Sequence, residues 1–286
     1  MKCLFASLLL FALILPMQMV NAQDLKTEVY VKEHIPNKKP VPYPYVREAD
    51  VIWSRTIWRM IDLREKQNMP LYYPVTPIGN RMSLMDLLLW GIDNEGLTAY
   101  SPDDPLNEFK IPLNREGVDL KMGAGSDTMK IMNPATGMLE ETIIESPRRS
   151  SEVKKVLVKE KWYFDKQHSV MKVRIIGMCP IRVFYKLDDN QMPTDELTQI
   201  QTFWVYYPEA RNLMARYEIY NRHNDAQRIS FDDFFWQRRF NSYIFAESNV
   251  YNNRKLIDYT SGYETLLEGE RIKKYLFELE HDLWEY

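Results

Sequence analysis

Two long β-rich runs, Val153–Asp165 and residues 169–183, flank the turn signal Asp165-Lys166-Gln167-His168. Two β-rich runs of this length around a turn signal predict paired strands and hence a sheet. In the second run Met171, Val173 and Ile175 alternate with Lys172 and Arg174, the period-two pattern of a half-buried antiparallel strand. Residues 200–207 read as a third, aromatic strand. Pro208 suits a first helical position, where its missing N–H costs nothing, so residues 210–220 read as a helix. Ser230, followed by Asp232 and Asp233, reads as the capped start of another. The chain closes on an amphipathic helix with Ile272, Tyr275, Leu276, Leu279 and Leu283 on one face, and Gly269 marks its beginning or a weak point.

Toward the N-terminus, Ile52, Trp53, Ile57, Met60 and Ile61 repeat at three-four spacing. That spacing predicts a helix from about Glu48, with Arg55, Arg59 and Asp62 as its polar stripe. Residues 83–90 predict a second helix ending near Gly91. Strands grouped between helices predict an α+β fold, an antiparallel sheet flanked by helices. Residues 112–151 are Gly-rich, and the turn signal from Asn133 to Gly137 predicts a projecting hairpin with loose ends.

Residues 23–45 form an arm. Pro36, Pro40, Pro42 and Pro44 disfavour helix and favour an extended path. Tyr43 and Tyr45 favour docking, on the chain's own domain or on a neighbour's. Ahead of the arm, Lys2, the apolar residues 4–15, Pro16 and the small-residue site Val20-Asn21-Ala22 predict a signal peptide over residues 1–22. The apolar run is shorter than the ~20 residues a membrane span needs. Cys3 precedes that run, so it is not the lipidated cysteine of a lipoprotein. Cleavage after Ala22 leaves Cys179 alone, without an intrachain disulfide and in an apolar run that predicts burial. Residues 46–286 then form one domain. A net charge of −3 gives no basic footprint for nucleic acid.

Chemistry is sparse. His34, His168, His223 and His281 lie far apart, and no metal, nucleophile-elbow or phosphate-loop motif occurs. No catalytic, cofactor-binding or metal residue is assigned. Asp232 and Asp233 point about 100° apart on a helix, which suits charge at its N-terminus better than a shared task. Phe231, Phe234, Phe235 and Arg238 would fall on one helical face. Arg238 is then either an internal ion pair or stack, or an anchor at a protein interface.

Several segments together resemble the gliding-motility GldN family, called PorN in non-gliding Bacteroidetes. They are Asp50-Val51-Ile52-Trp53-Ser54, then Ile61-Asp62-Leu63-Arg64-Glu65-Lys66-Gln67-Asn68 with Leu71-Tyr72-Tyr73-Pro74, and Lys161-Trp162-Tyr163-Phe164-Asp165-Lys166-Gln167. Further on come Phe203-Trp204-Val205-Tyr206-Tyr207-Pro208-Glu209-Ala210-Arg211, Arg238-Arg239-Phe240-Asn241-Ser242, Glu270-Arg271-Ile272-Lys273 and His281-Asp282-Leu283-Trp284-Glu285-Tyr286. The resemblance implies a periplasmic, structural subunit of the type IX secretion system, which in gliding species also drives movement. It implies a ring of copies of this chain with an outer-membrane lipoprotein, GldK or PorK, and contact with the inner-membrane motor subunit, GldM or PorM. It implies no enzyme activity and no cofactor, and membrane contact only through partners. Tyr43, Tyr45, Asn133, Gly137, Arg238 and Arg239 are the candidate partner contacts. Two other readings stay open: a periplasmic enzyme using carboxylates such as Asp232 or Glu247, and a peptidoglycan or glycan binder using Trp53, Trp162 and Trp204.

Overall fold

The hairpin around Asp165 is the spine of the molecule. The computed structural model describes residues 35–286 except 80, 105–107, 133–138, 188–192, 222–223, 225 and 284–286, and the side chains of 126–145, 187, 193 and 195. In chain order the elements are β1 (Val51–Asp62), α1 (Met69–Tyr72), α2 (Leu84–Asn94), β2 (Ala99–Tyr100), α3 (Arg115–Lys121), β3 (Gly125–Met132) and β4 (Leu139–Ser146). They continue with β5 (Val153–Asp165), β6 (Val170–Leu187), β7 (Pro193–Gln201), β8 (Trp204–Tyr206), α4 (Tyr207–Arg216), β9 (Glu218–Ile219), β10 (Ile229–Ser230), α5 (Phe231–Trp236), β11 (Tyr243–Glu247) and α6 (Tyr263–Asp282). The fold is α+β. Its main sheet runs β11-β1-β5-β6-β8-β2, all antiparallel, with β7 on the far part of β6.

The β5–β6 turn is closed by Asp165. Its carboxylate accepts from the Gln167 N–H at 3.0 Å and the Lys172 ammonium at 2.7 Å, and lies 2.7 Å from His168 Nδ1. Ser169 takes the left-handed conformation that such a tight reversal requires, at φ 51°. Pro180, in the middle of β6, explains why the expected third strand divides. Proline has no N–H for a ladder, so β7 and β8 separate opposite it. Thr202 fills the gap, its N–H and hydroxyl both donating to the Pro180 carbonyl at 3.0 and 2.9 Å.

One sheet face, through Ile61, Val156, Val158 and Met178, packs under α2, α4 and α5. Farther along that face, Ile57, Ile244 and Leu256 receive Ile272 and Leu276 of α6. The other face carries Trp58, Met60, Leu157, Cys179, Ile181 and Trp204, roofed by Tyr100 and Phe109. Gly177 permits that roof: a Cβ there would overlap the Phe109 ring. Cys179 is fully buried, and that burial pushes its thiol well above its ordinary pKa.

The helix expected from Glu48 is a strand. β1 is a central strand between β11 and β5, with the helix-side clusters on one face of its second half and the Trp58 cluster on the other, so the buried pairs Ile57/Trp58 and Met60/Ile61 imitate helical spacing. Its β-branched and aromatic residues suit the strand that forms. The helix after Pro208 stops at Arg216, and Glu218–Ile219 pairs with β10. The final helix begins at Tyr263, with Gly269 inside it against Ile244 and Leu256. A short helix, α3, stands where loose ends were expected. Asn114 caps it by accepting from the Gly117 N–H at 3.0 Å, and Val118 and Met122 turn inward. The expected hairpin is the β3–β4 pair, a separate two-stranded sheet whose turn lies outside the described residues.

Candidate interaction surfaces

The arm docks on its own domain. Ile35 is 3 % exposed, and the Lys38 ammonium meets the Asp233 carboxylate. Asp233 is also the reciprocal partner of Ser230 in the capping box that starts α5. Burial works against its charge, but Lys38 and Ser230 outweigh burial and leave its pKa lowered. Farther along, Tyr43 lies 5.3 Å from the Trp236 ring, with the Arg211 and Arg174 guanidinium carbons 4.4 and 5.0 Å from its centroid. Arg174 also donates to the Pro44 carbonyl. Arg211 is fixed from behind, because Asp232 accepts from its Nε at 2.8 Å and its Nη2 at 3.1 Å, and the Tyr207 hydroxyl donates to the same carboxylate. Burial raises the Tyr43 and Tyr207 phenols above their ordinary pKa. A hollow of about 290 Å³ remains beside Tyr43, Tyr163, Arg174 and Trp236. Tyr45 points the other way and is 89 % exposed.

Arg238 is engaged inside the protein. α5 ends at Trp236, so Arg238 does not share its face with Phe231, Phe234 and Phe235; it follows in a turn at φ 52°. Its guanidinium lies 2.8 Å from Glu160, which is 0 % exposed, and against the Trp162 and Phe240 rings. The Trp162 indole donates to that carboxylate at 2.9 Å. Arg239 turns outward and donates to the Gln237 side chain at 2.7 Å. Asn133 and Gly137 lie outside the described residues.

The β3–β4 hairpin stands on a clamped base. Arg148 bridges Asp93 at the end of α2 and Asp119 on α3, and those hydrogen bonds raise its pKa despite burial. The Arg149 N–H donates to the Met122 carbonyl at 3.1 Å. Arg182 reaches from β6 to Glu152 and lies against Gly123, whose φ of 76° and missing Cβ both serve that contact.

A third feature is an apolar groove. Met69, Pro70, Tyr73, Pro74, Ile78 and Tyr220 line about 540 Å³ of it, with Lys66 and Arg81 at the rim. An adjoining hollow of about 530 Å³ shares Lys66, Pro70 and Tyr220 and continues to Ile229, Phe234 and Arg239. Sequence reading missed this groove, although the prolines and tyrosines of 70–74 are its substance. Their convergence with Tyr220 is made only by the fold.

The residues of the two alternative readings are engaged within the protein. Asp232 is held by Arg211 and Tyr207, while Glu247 sits on β11 and accepts from Arg55 at 3.0 Å. Trp204 is 2 % exposed, and Trp53 and Trp162 pack against the α6 cluster. Among the described residues, no group of His, Cys, Asp and Glu side chains is arranged to hold a metal, and no helix is long and apolar enough to cross a membrane.

The described α+β domain thus carries an arm docked on itself, a two-stranded hairpin on a clamped base and an apolar groove. The chain belongs to the GldN family, described as gliding motility associated protein GldN, whose family model matches residues 46–285. Membership connects it with gliding motility and type IX secretion. Comparison with curated proteins gives no match.

Proposed function

We propose that this chain is a structural, periplasmic subunit of the type IX secretion machinery. It assembles in a ring with an outer-membrane lipoprotein of the GldK or PorK kind and contacts the motor subunit GldM or PorM. The observation that carries this reading is the family match across residues 46–285. The structure supplies parts suited to the role. A closed ring of identical subunits needs two different patches on each copy that meet head to tail. The β3–β4 ribbon on its clamped base is one such patch, and the groove beside Tyr220 is another, on different elements of the fold. Tyr45 remains available to a neighbour, whereas Tyr43 and Arg238 serve the subunit's own packing.

This division refines the role of the arm. Removing residues 35–45 strips Tyr43 and Lys38 from their seats and disturbs the subunit itself, so Tyr45→Ala is the cleaner probe of contact. The direct test is co-expression with the lipoprotein and purification from membranes. The two proteins copurify in a large assembly on this reading, and a chain that purifies alone as a monomer overturns it.

A further inference from the structure

We propose that the hollow between the docked arm and the domain binds a carboxylate carried on a small apolar body, with the Arg174 guanidinium as its anchor. Such a site is independent of the secretion role.

Charge points to an anion. Lys172, Arg174 and Arg238 line the hollow, and no Asp or Glu does. Two of these cations are already matched, Lys172 by Asp165 at 2.7 Å and Arg238 by Glu160 at 2.8 Å. Arg211, against the Tyr43 ring, is held by Asp232. Of these four cations, Arg174 is the one without a carboxylate partner among the described residues. It is positioned by other means: Nη2 donates to the Pro44 carbonyl, and the guanidinium carbon lies 5.0 and 5.4 Å from the Tyr43 and Tyr163 centroids. Its Nε is buried without a hydrogen-bond partner. A guanidinium fixed in place yet short of acceptors is completed by an anion, and its planar fork matches a carboxylate.

The rest of the lining selects what carries that carboxylate. Tyr43 and Tyr163 border the hollow, and the Tyr43 phenol lies within electrostatic reach of both Arg174 and Tyr163. Two hydroxyls able to donate to an anion therefore stand around one guanidinium. Val173, Ile175, Phe235 and Trp236 form the apolar remainder. A volume of about 290 Å³ is at the small end of ligand sites, room for a carboxylate with one ring or a short aliphatic chain. A free small acid and the C-terminal residue of a peptide both present this chemistry. Because Tyr43 and Pro44 belong to the arm, a bound acid also ties the arm to β6 and stabilises its seat.

Titration calorimetry of the full chain with phenylacetate, phenylacetamide and inorganic sulfate tests the site. Phenylacetate should bind about tenfold more tightly than the amide, and Arg174→Gln should remove that advantage. Equal binding of acid and amide, no binding of either, or an advantage that survives Arg174→Gln overturns the proposal. Sulfate binding as tightly as phenylacetate also overturns it, since the apolar walls would then select nothing. N-acetyl-alanyl-phenylalanine separates the two sources: tighter binding than phenylacetate assigns the site to chain ends, weaker binding to free acids, and either supports a carboxylate site. A thermal melt checks that Arg174→Gln still folds. Should it not, Tyr163→Phe keeps the ring and is expected to weaken phenylacetate about threefold without affecting the amide, and an unchanged affinity for the acid would count against the site.

Discussion

Buried charge in this protein is paired in ways that fix individual side chains. Glu160 lies at 0 % exposure; Arg238 neutralises it and the Trp162 indole donates to it. Arg238→Ala leaves that carboxylate without its cation, and a loss of about 3–5 kcal/mol is expected in urea unfolding. A change under about 0.5 kcal/mol, typical of a surface site, would contradict the internal role. Asp165 gives a pH signature. Lys172 above all, with His168, lowers its pKa from 3.8 to about 2, so the fold favours the anion. A carboxyl depressed in the fold stabilises fully above its unfolded value, and that contribution fades as pH falls through its folded value. Asp165→Asn should therefore flatten the acid limb of stability between about pH 4 and 2, and an unchanged limb in chemical denaturation would refute the assignment.

At the scale of elements, the clamped hairpin is the feature with the clearest consequence. Arg148, Arg149 and Arg182 secure its base to α2, α3 and β6. Replacing residues 126–145 by a short Gly-Ser turn is expected to leave the melting temperature within about 4 °C, given that 1 kcal/mol moves a domain of this size by ~2–4 °C. The same variant should lose higher-order assembly in light scattering; retained assembly would remove the hairpin from the contact surface. The hairpin was legible in advance because turn residues and β-compatible flanks are local signals. So were the β5–β6 turn and the Ser230 cap, each determined by neighbours in sequence. β1 was misread because sheet position, which covers both its faces, is not local. The arm's seat and the groove escaped for the same reason: Tyr43 meets Arg174, Arg211 and Trp236, and Tyr220 meets Tyr73 and Pro74, only after the sheet has formed.

The whole molecule joins a self-packed core to surfaces that the core does not use. The arm residues Ile35, Lys38 and Tyr43 belong to the core side of that division, and Tyr45, the β3–β4 ribbon and the groove belong to the other. The family resemblance was readable from segments such as Phe203-Trp204-Val205-Tyr206-Tyr207-Pro208, and the structure explains their cohesion: Phe203, Trp204, Val205 and Tyr207 are all buried where sheet and helices meet. We propose that this subunit builds a ring with a lipidated partner. Imaging of complexes extracted from membranes after co-expression of the two chains tests it most directly. Closed rings containing both proteins are the predicted result, and a dispersed monomer free of the lipoprotein would contradict the claim.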